Sequence, residues 1–239
     1  MSPERTGSLY LLPNTLGDVA PEAVIPARVL DRARSLDYII AEDPKAARAF
    51  LKRIAPKRPL QSIRVERLDH NTEASDIPAF LEPLLSGSDA GLLSEAGLPA
   101  VADPGASLVR FAHERNIRIV PMSGPSSLVL ALAASGLDGQ RFAFHGYLPI
   151  AETELVSALK ECERHSRKLK QTQIFIETPY RNDRTLAAML RALAPATLVC
   201  VAADLTLESE AVKTRPVVAW RKETPRLKGR PTVFLLLSE

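Results

Sequence analysis

The chain has 239 residues, of which 46% are hydrophobic and 25% are charged. This composition supplies enough apolar material for a core, and it excludes collagen-like, disordered and coiled-coil chains. The net charge of +3 is too small to indicate a nucleic-acid-binding protein by itself. The two cysteines, Cys162 and Cys200, lack the spacing of metal ligands, and such sparse cysteine usage is typical of a reducing cytosol.

No stretch of the sequence predicts a targeting signal or a membrane span. The longest apolar run, residues 128–134, is far shorter than the roughly 20 residues that a membrane-spanning helix needs. We therefore expect a cytoplasmic protein without membrane contact, and the isolated histidines lead us to expect no metal site.

Strands and helices alternate in the first half of the predicted chain. Short apolar runs predict strands at residues 8–12, 37–41, 90–94 and 117–121. Helical spacing of apolar residues predicts helices at residues 26–36, 45–54, 77–85 and 106–114. This alternation favours an α/β fold with a mostly parallel sheet.

The second half is richer in predicted strands towards its end. Apolar runs predict strands at residues 142–147, 173–177, 197–203, 217–220 and 232–237. Helices are predicted to end at Ser135 and to span residues 152–170 and 184–193. This pattern fits a mixed sheet better than a parallel one. We place the boundary at Pro121, which gives two α/β domains, residues 1–121 and 122–239.

Several loops follow the predicted strands, and ligands of open α/β sheets bind at the carboxyl ends of strands. The most informative loop is Ser94–Gly105, with two glycines and two prolines in twelve residues. These residues fix the shape of a loop and let a ligand approach the backbone. A connecting loop that only turns the chain explains the composition equally well, and Asp103 could serve only as a helix cap.

A second candidate is the segment Glu177–Arg181, in which a carboxylate, an aromatic ring and a guanidinium follow a predicted strand. An arginine beside a tyrosine can hold a phosphate or stack on a base. The alternative is a turn between strand and helix, in which Asp183 caps the helix and Arg181 pairs with Glu177.

Basic residues are concentrated in two stretches, residues 160–170 and 213–230. If they gather on one face, they form a surface that attracts phosphate. Glutamates are interspersed in both stretches, so each stretch taken alone is better interpreted as a solvated face.

Seven motifs, taken in order, resemble the tetrapyrrole methylase superfamily of S-adenosylmethionine-dependent methyltransferases. The resemblance is closest to the branch that methylates a cytidine 2′-hydroxyl in 16S ribosomal RNA. The motifs are LYLLPNTLGD (9–18), AED (41–43), LSEAGLP with ADPG (93–105), SGPSS (123–127), SGL (135–137), RFAFHGYLP (141–149) and ETPYR (177–181). Each motif is weak alone, but their common order covers nearly the whole chain.

The resemblance implies two α/β domains around a cleft, a homodimer, and S-adenosylmethionine held largely by main-chain groups of the strand-end loops. The residues that it implies at the cofactor are Pro13, Ser94, Glu95, Ala96, Gly97, Ala102, Asp103, Gly124, Ser126, Ser127, Tyr147, Leu148 and Ala202. For the transfer itself, Glu177 and Glu42 are candidates to accept a proton. Arg181, with Tyr180, would hold a phosphate or base of the acceptor.

The sequence departs from the ribosomal RNA branch at positions that would face the acceptor. The family's Glu-Asp-Thr-Arg is replaced by Glu42–Lys45, and its Glu-Leu-Thr-Lys by Asp204–Leu207, which lacks the lysine. Three functions therefore stay open. RNA methylation is the leading hypothesis, methylation of a small molecule such as a tetrapyrrole is the second, and binding of the cofactor without turnover is the third.

Overall fold

The computed structural model describes residues 6–238. The chain separates between Ser126 and Ser127 into two compact units, each with its own five-stranded sheet. The sequence placed this division a few residues earlier, at Pro121. Within the described residues, the helices are all too short or too polar to cross a membrane.

The first unit has a sheet in which every strand is parallel to its neighbours, in the order β3-β2-β4-β1-β5. Its strands are β1 (Ser8–Leu12), β2 (Tyr38–Ala41), β3 (Arg64–Arg67), β4 (Ala90–Leu93) and β5 (Arg118–Pro121). Its helices are α1 (Pro21–Val24), α2 (Ala27–Ser35), α3 (Pro44–Ile54), α4 (Ile77–Leu85) and α5 (Gly105–Glu114). The predicted parallel α/β fold is thus confirmed.

Helices cover both faces of this sheet, which is why its strands β2 and β4 are apolar and buried along their whole length. Residues of α2 and α3 pack with Leu12, Ile39 and Leu93 on one face. Residues of α4 and α5 pack with Leu9 and Leu92 on the other. The loops after the strands are therefore supported by a core on either side.

The second unit has a mixed sheet in the order β6-β7-β10-β8-β9, as predicted. Its strands are β6 (Phe142–Tyr147), β7 (Thr172–Ile176), β8 (Leu198–Ala203), β9 (Ala211–Pro216) and β10 (Thr232–Leu237). Its helices are α6 (Ser127–Ser135), α7 (Glu152–Leu169), α8 (Asn182–Ala192) and α9 (Val217–Trp220). Only β6 and β7 pair in parallel; the other neighbours are antiparallel.

The predicted strand at residues 217–220 is wrong, because these residues form the helical turn α9. Pro216 precedes this turn, and a proline fixes the backbone angle φ near the helical value at such a start. The strand of this region is β9, whose side chains are alternately exposed and half-buried over most of its length.

Candidate functional site

The predicted cofactor loops of the first unit meet at one edge of its sheet. The strands are parallel, so the loops that follow β1, β4 and β5 all leave from the same edge. The backbone N–H of Asn14 donates to the carbonyl of Gly97 at 2.9 Å. Gly124 lies so close to Pro13 that an added Cβ would be 2.2 Å from the Cβ of the proline. Residues from three distant parts of the sequence are thus brought together.

Asn14, which sequence reasoning did not select, holds this group in place. Its side chain is buried, and its Nδ2 donates to the carbonyl oxygens of Ser94 at 3.1 Å and Glu95 at 2.9 Å. The hydroxyl of Ser94 donates to the carbonyl oxygens of Ala96 and Gly97, both at 3.1 Å. The carbonyls of residues 94–97 are therefore fixed by hydrogen bonds, which sets the shape of the loop.

The continuation of this loop is strained. Gly97 has φ +71°, and two alanines, Ala100 with φ 63° and Ala102 with φ 58°, also lie in the left-handed region. A non-glycine residue costs about 1–3 kcal/mol there, and such residues cluster at ligand sites. The strain supports the interpretation of Ser94–Gly105 as a ligand loop rather than a simple connection.

One partly buried carboxyl, Asp103, belongs to this loop, and a second, Glu42, lies close to it. Burial raises the pKa of Asp103, although its Oδ1 accepts the N–H of Gly105 at 3.1 Å. Burial also raises the pKa of Glu42, and the negative charges of Asp103 and Glu95 raise it further. A carboxylate with a raised pKa is a stronger base, so Glu42 is suited to accept a proton.

In the second unit, Glu177 and Arg181 form an ion pair at the turn from β7 to α8. The side chain of Glu177 is only 3% exposed. Its Oε1 accepts from the Nε of Arg181 at 2.9 Å and from the N–H of Thr178 at 2.6 Å. The pairing alternative for this segment is therefore present in the structure. Asp183, however, accepts the N–H of Leu227 at 2.5 Å rather than capping α8.

The remaining predicted residues lie at ends of secondary structure elements. Tyr147 is exposed at the end of β6, Leu148 follows it and is buried, and Ala202 is buried in β8. Ser126 closes the first unit, and Ser127 begins α6.

The segment Asp204–Leu207, in which the sequence lacks the family's lysine, forms a polar turn after β8 whose hydrogen bonds the sequence did not predict. Asp204 and Thr206 have φ values of 52° and 72°. The buried carboxylate of Asp204 accepts from the Nε of Arg230 at 2.7 Å and from the hydroxyl of Ser209 at 2.9 Å. Within residues 6–238, the buried hydroxyl of Thr206 has no hydrogen-bond partner. No group of three His, Cys, Asp or Glu side chains in that range is arranged to hold a metal ion.

Comparison with known proteins gives consistent matches along the chain. The family model of tetrapyrrole (corrin/porphyrin) methylases matches residues 21–218. The chain is 34% identical over 233 residues to the ribosomal RNA small subunit methyltransferase I of Escherichia coli O157:H7, covering 96% of this chain and 77% of that protein. It is 32% identical to the protein of the same name from Haemophilus influenzae, covering 97% of this chain and 79% of that protein.

Solved structures of other methyltransferases share the fold. The methyltransferase CobJ has a TM-score of 0.62 at 18% identity, with 98% of this chain and 95% of that chain covered. The cobalt precorrin-4 methyltransferase CbiF has a TM-score of 0.57 at 16% identity, with 96% and 94% covered. At these identities the similarity establishes the fold alone.

Proposed function

The chain belongs to the tetrapyrrole (corrin/porphyrin) methylase family and is a methyltransferase. We propose that it transfers the methyl group of S-adenosylmethionine to ribosomal RNA. Ribosomal RNA is proposed as the acceptor because the chain is similar, over most of both chains, to proteins named ribosomal RNA small subunit methyltransferase I. By the resemblance of its motifs, we propose a ribose 2′-hydroxyl as the accepting group.

The strand-end loops of the first unit have the properties that a bound S-adenosylmethionine requires. When bound, the cofactor supplies an electrophilic methyl group on a sulfonium. We propose that the backbone of Ser94–Gly97 and Ala102 and the carboxylate of Asp103 hold its polar groups. Gly97 and Gly124 carry no side chain, and Asn14 keeps the loop open in one shape. The observation in favour is a backbone surface fixed by hydrogen bonds beside a partly buried carboxylate.

Glu42 is our proposed proton acceptor. When the ribose oxygen accepts the methyl group, its hydroxyl proton would pass to the carboxylate of Glu42. Glu177 is less suited to this role, because its Oε1 already accepts hydrogen bonds from Arg181 and Thr178. We propose instead that Glu177 orients Arg181 towards a phosphate or base of the acceptor.

This assignment predicts a pH dependence of methyl transfer. The rate should rise with pH as Glu42 loses its proton, with a midpoint above the ordinary glutamate pKa of 4.5, since burial and Asp103 raise the pKa. Glu42→Gln should lower the rate by about 10²–10⁴-fold and remove this rise. The measurement is the initial rate across pH at saturating cofactor.

Asp103→Asn is a second variant that tests the origin of the raised Glu42 pKa in the profile of rate against pH. It removes the carboxylate that raises the Glu42 pKa most among its charged neighbours, so the rise should move to lower pH and persist. If the transfer rate of Glu42→Gln still rises with pH, Glu42 is not the proton acceptor.

The proposed function is tested with radiolabelled S-adenosylmethionine and three acceptors: small ribosomal subunits that lack the modification, their isolated RNA, and a porphyrinogen. Label in RNA, at a ribose after nuclease digestion, is the expected result. Label in the porphyrinogen alone would mean a tetrapyrrole enzyme. Cofactor binding by calorimetry without label in any acceptor would favour a protein that binds the cofactor without turnover.

We also propose that the protein is a cytoplasmic homodimer. Two features of the second unit support a dimer interface. The residues Phe142, Tyr147 and Ile150 have relative solvent exposures between 48% and 62%, and β6 is an edge strand. Exposed apolar side chains at an unpaired edge favour association. Sedimentation equilibrium should give twice the 26.1 kDa of one chain, and a mass of one chain would contradict the dimer.

A further inference from the structure

The second unit contains a cavity that has no role in the transfer described above. Its volume is about 160 Å³. Val201, Ala203, Trp220 and Leu227 form its apolar lining. Three cations, Lys213, Arg215 and Arg230, and one carboxylate, Glu223, also line it. An apolar cavity of about 150 Å³ accommodates one benzene-sized ring. This cavity, the β9 pocket, therefore has the size of a single aromatic ring and a positively charged lining.

The β9 pocket lies on the face of the sheet opposite to α6. Successive side chains of a strand point to opposite faces. The hydroxyl of Thr214 donates to the carbonyl of Ser135 in α6 at 2.6 Å, whereas its neighbours Lys213 and Arg215 line the pocket. By the same alternation Val201 and Ala203 face the pocket, and Ala202, which we assign to the cofactor, points away from it.

Two of the three cations are held in ion pairs. The third, Lys213, forms none among the described residues, but it lies near Glu223, whose pKa is lowered by Arg215 and also by the charge of Lys213. Arg215 pairs with Glu223 at 2.8 Å, and its guanidinium lies 5.4 Å from the centre of the Trp220 ring. Arg230 pairs with the buried Asp204 at 2.7 Å. Within residues 6–238, Lys213 has no carboxylate partner at ion-pair distance. The charge of the pocket therefore favours an anion beside an apolar ring.

The basic residues of the C-terminal stretch are of two kinds: some line the pocket and others form hydrogen bonds within the fold. Arg221 is used internally, since its Nε donates to the carbonyl of Leu190 at 2.8 Å. Lys213, Arg215 and Arg230, separated by up to seventeen positions in the chain, line one cavity. The clustering that the sequence left open therefore holds for these three cations.

We propose that the β9 pocket binds one unpaired nucleotide of the RNA, with its base on the apolar lining and its phosphate at Lys213 and Arg215. This inference rests on the proposed function, since it takes RNA as the substrate. Proteins that bind single strands combine apolar or aromatic surfaces for bases with cations for the backbone. A tetrapyrrole, with four rings, is too large for a cavity of this volume.

Trp220 makes the test direct, because it is the one tryptophan of the sequence. A short cytidine oligoribonucleotide should quench the fluorescence of Trp220 as it binds. Ala211→Phe fills the pocket without a change of charge, and Lys213→Glu reverses the charge of the one lining cation that forms no ion pair within residues 6–238. Each should weaken binding by about tenfold or more, and Lys213→Glu should reduce the slope of log affinity against log salt by about 1–2.

Lys168→Glu is the matched control, because it makes the same charge change on α7, where Lys168 lines a different hollow. It should leave both quenching and affinity within about twofold of the wild type. Thermal unfolding of each variant verifies that the fold is retained. If both pocket variants bind the oligonucleotide as tightly as the wild type while folded, the proposal is wrong.

Three further results would also overturn it, and the first two separate it from the proposed function. If S-adenosylhomocysteine quenches Trp220 and competes with the oligonucleotide, the β9 pocket belongs to the cofactor. If the wild type and both variants methylate ribosomal RNA with equal KM, the proposed function stands and the pocket has no part in it. If the wild type transfers no methyl group to RNA, the proposed function fails and the pocket proposal fails with it.

Discussion

Gly124→Ala should weaken the binding of S-adenosylmethionine at least about tenfold, which corresponds to about 1.4 kcal/mol. It should also lower the free energy of unfolding by about 1–3 kcal/mol, the usual cost of overpacking. The added Cβ would lie 2.2 Å from the Cβ and 2.4 Å from the Cγ of Pro13. The proline ring cannot rotate away, so the loop of Gly124 must move relative to the loop of Pro13.

Calorimetry with S-adenosylmethionine measures the affinity, and urea denaturation measures the stability. Gly139→Ala is the matched control, because a Cβ at Gly139 would meet nothing within 4 Å. It should leave both quantities unchanged. Unchanged affinity in folded Gly124→Ala would show that the cofactor does not depend on the packing of these two loops.

Glu177→Gln is the second change with a large expected effect. Loss of the buried carboxylate leaves Arg181 without its partner, and because Arg181 is 27% exposed, we expect a loss of about 1–3 kcal/mol rather than the larger cost of a fully buried pair. If Glu177 orients Arg181 for the acceptor, transfer to RNA should fall by about 100-fold, the cost of a misplaced group. Cofactor affinity should be unchanged.

A double-mutant cycle separates positioning from proton transfer. With Glu177→Gln, Arg181→Ala and the double variant, the losses should be strongly non-additive, since both single changes remove the same ion pair. The rise of the rate with pH should persist in all three. If the rise of the rate with pH disappears in Glu177→Gln and persists in Glu42→Gln, Glu177 rather than Glu42 is the proton acceptor.

Strands could be predicted from the sequence where burial is complete. Strands β2 and β4 are buried at every residue, so each appears in the sequence as an unbroken apolar run. The edge strand β3 was missed, since its residues Arg64–Arg67 are mostly charged and its two ends are exposed. Such a strand is defined by its pairing with β2, which local composition does not reveal.

In the candidate site, too, contacts between residues close in the sequence could be predicted, whereas contacts between distant residues could not. Glu177 and Arg181 are four residues apart, and their pairing was among the interpretations that the sequence allowed. The bonds from Asn14 to Ser94 and Glu95 span about eighty residues, and no spacing rule predicts them. The three cations of the β9 pocket were visible as a basic stretch, but that they line one cavity follows only from the tertiary structure.

The position of β1 has a consequence for the synthesis of the chain. Tyr10 of this central strand pairs with Gly91 and Val120, and ribosomes add about 5–20 residues per second. The first apolar strand is therefore made about 5–20 s before its second neighbour exists. Until then at least one edge of Ser8–Leu12 has no partner strand, which leaves an apolar segment open to association with other chains.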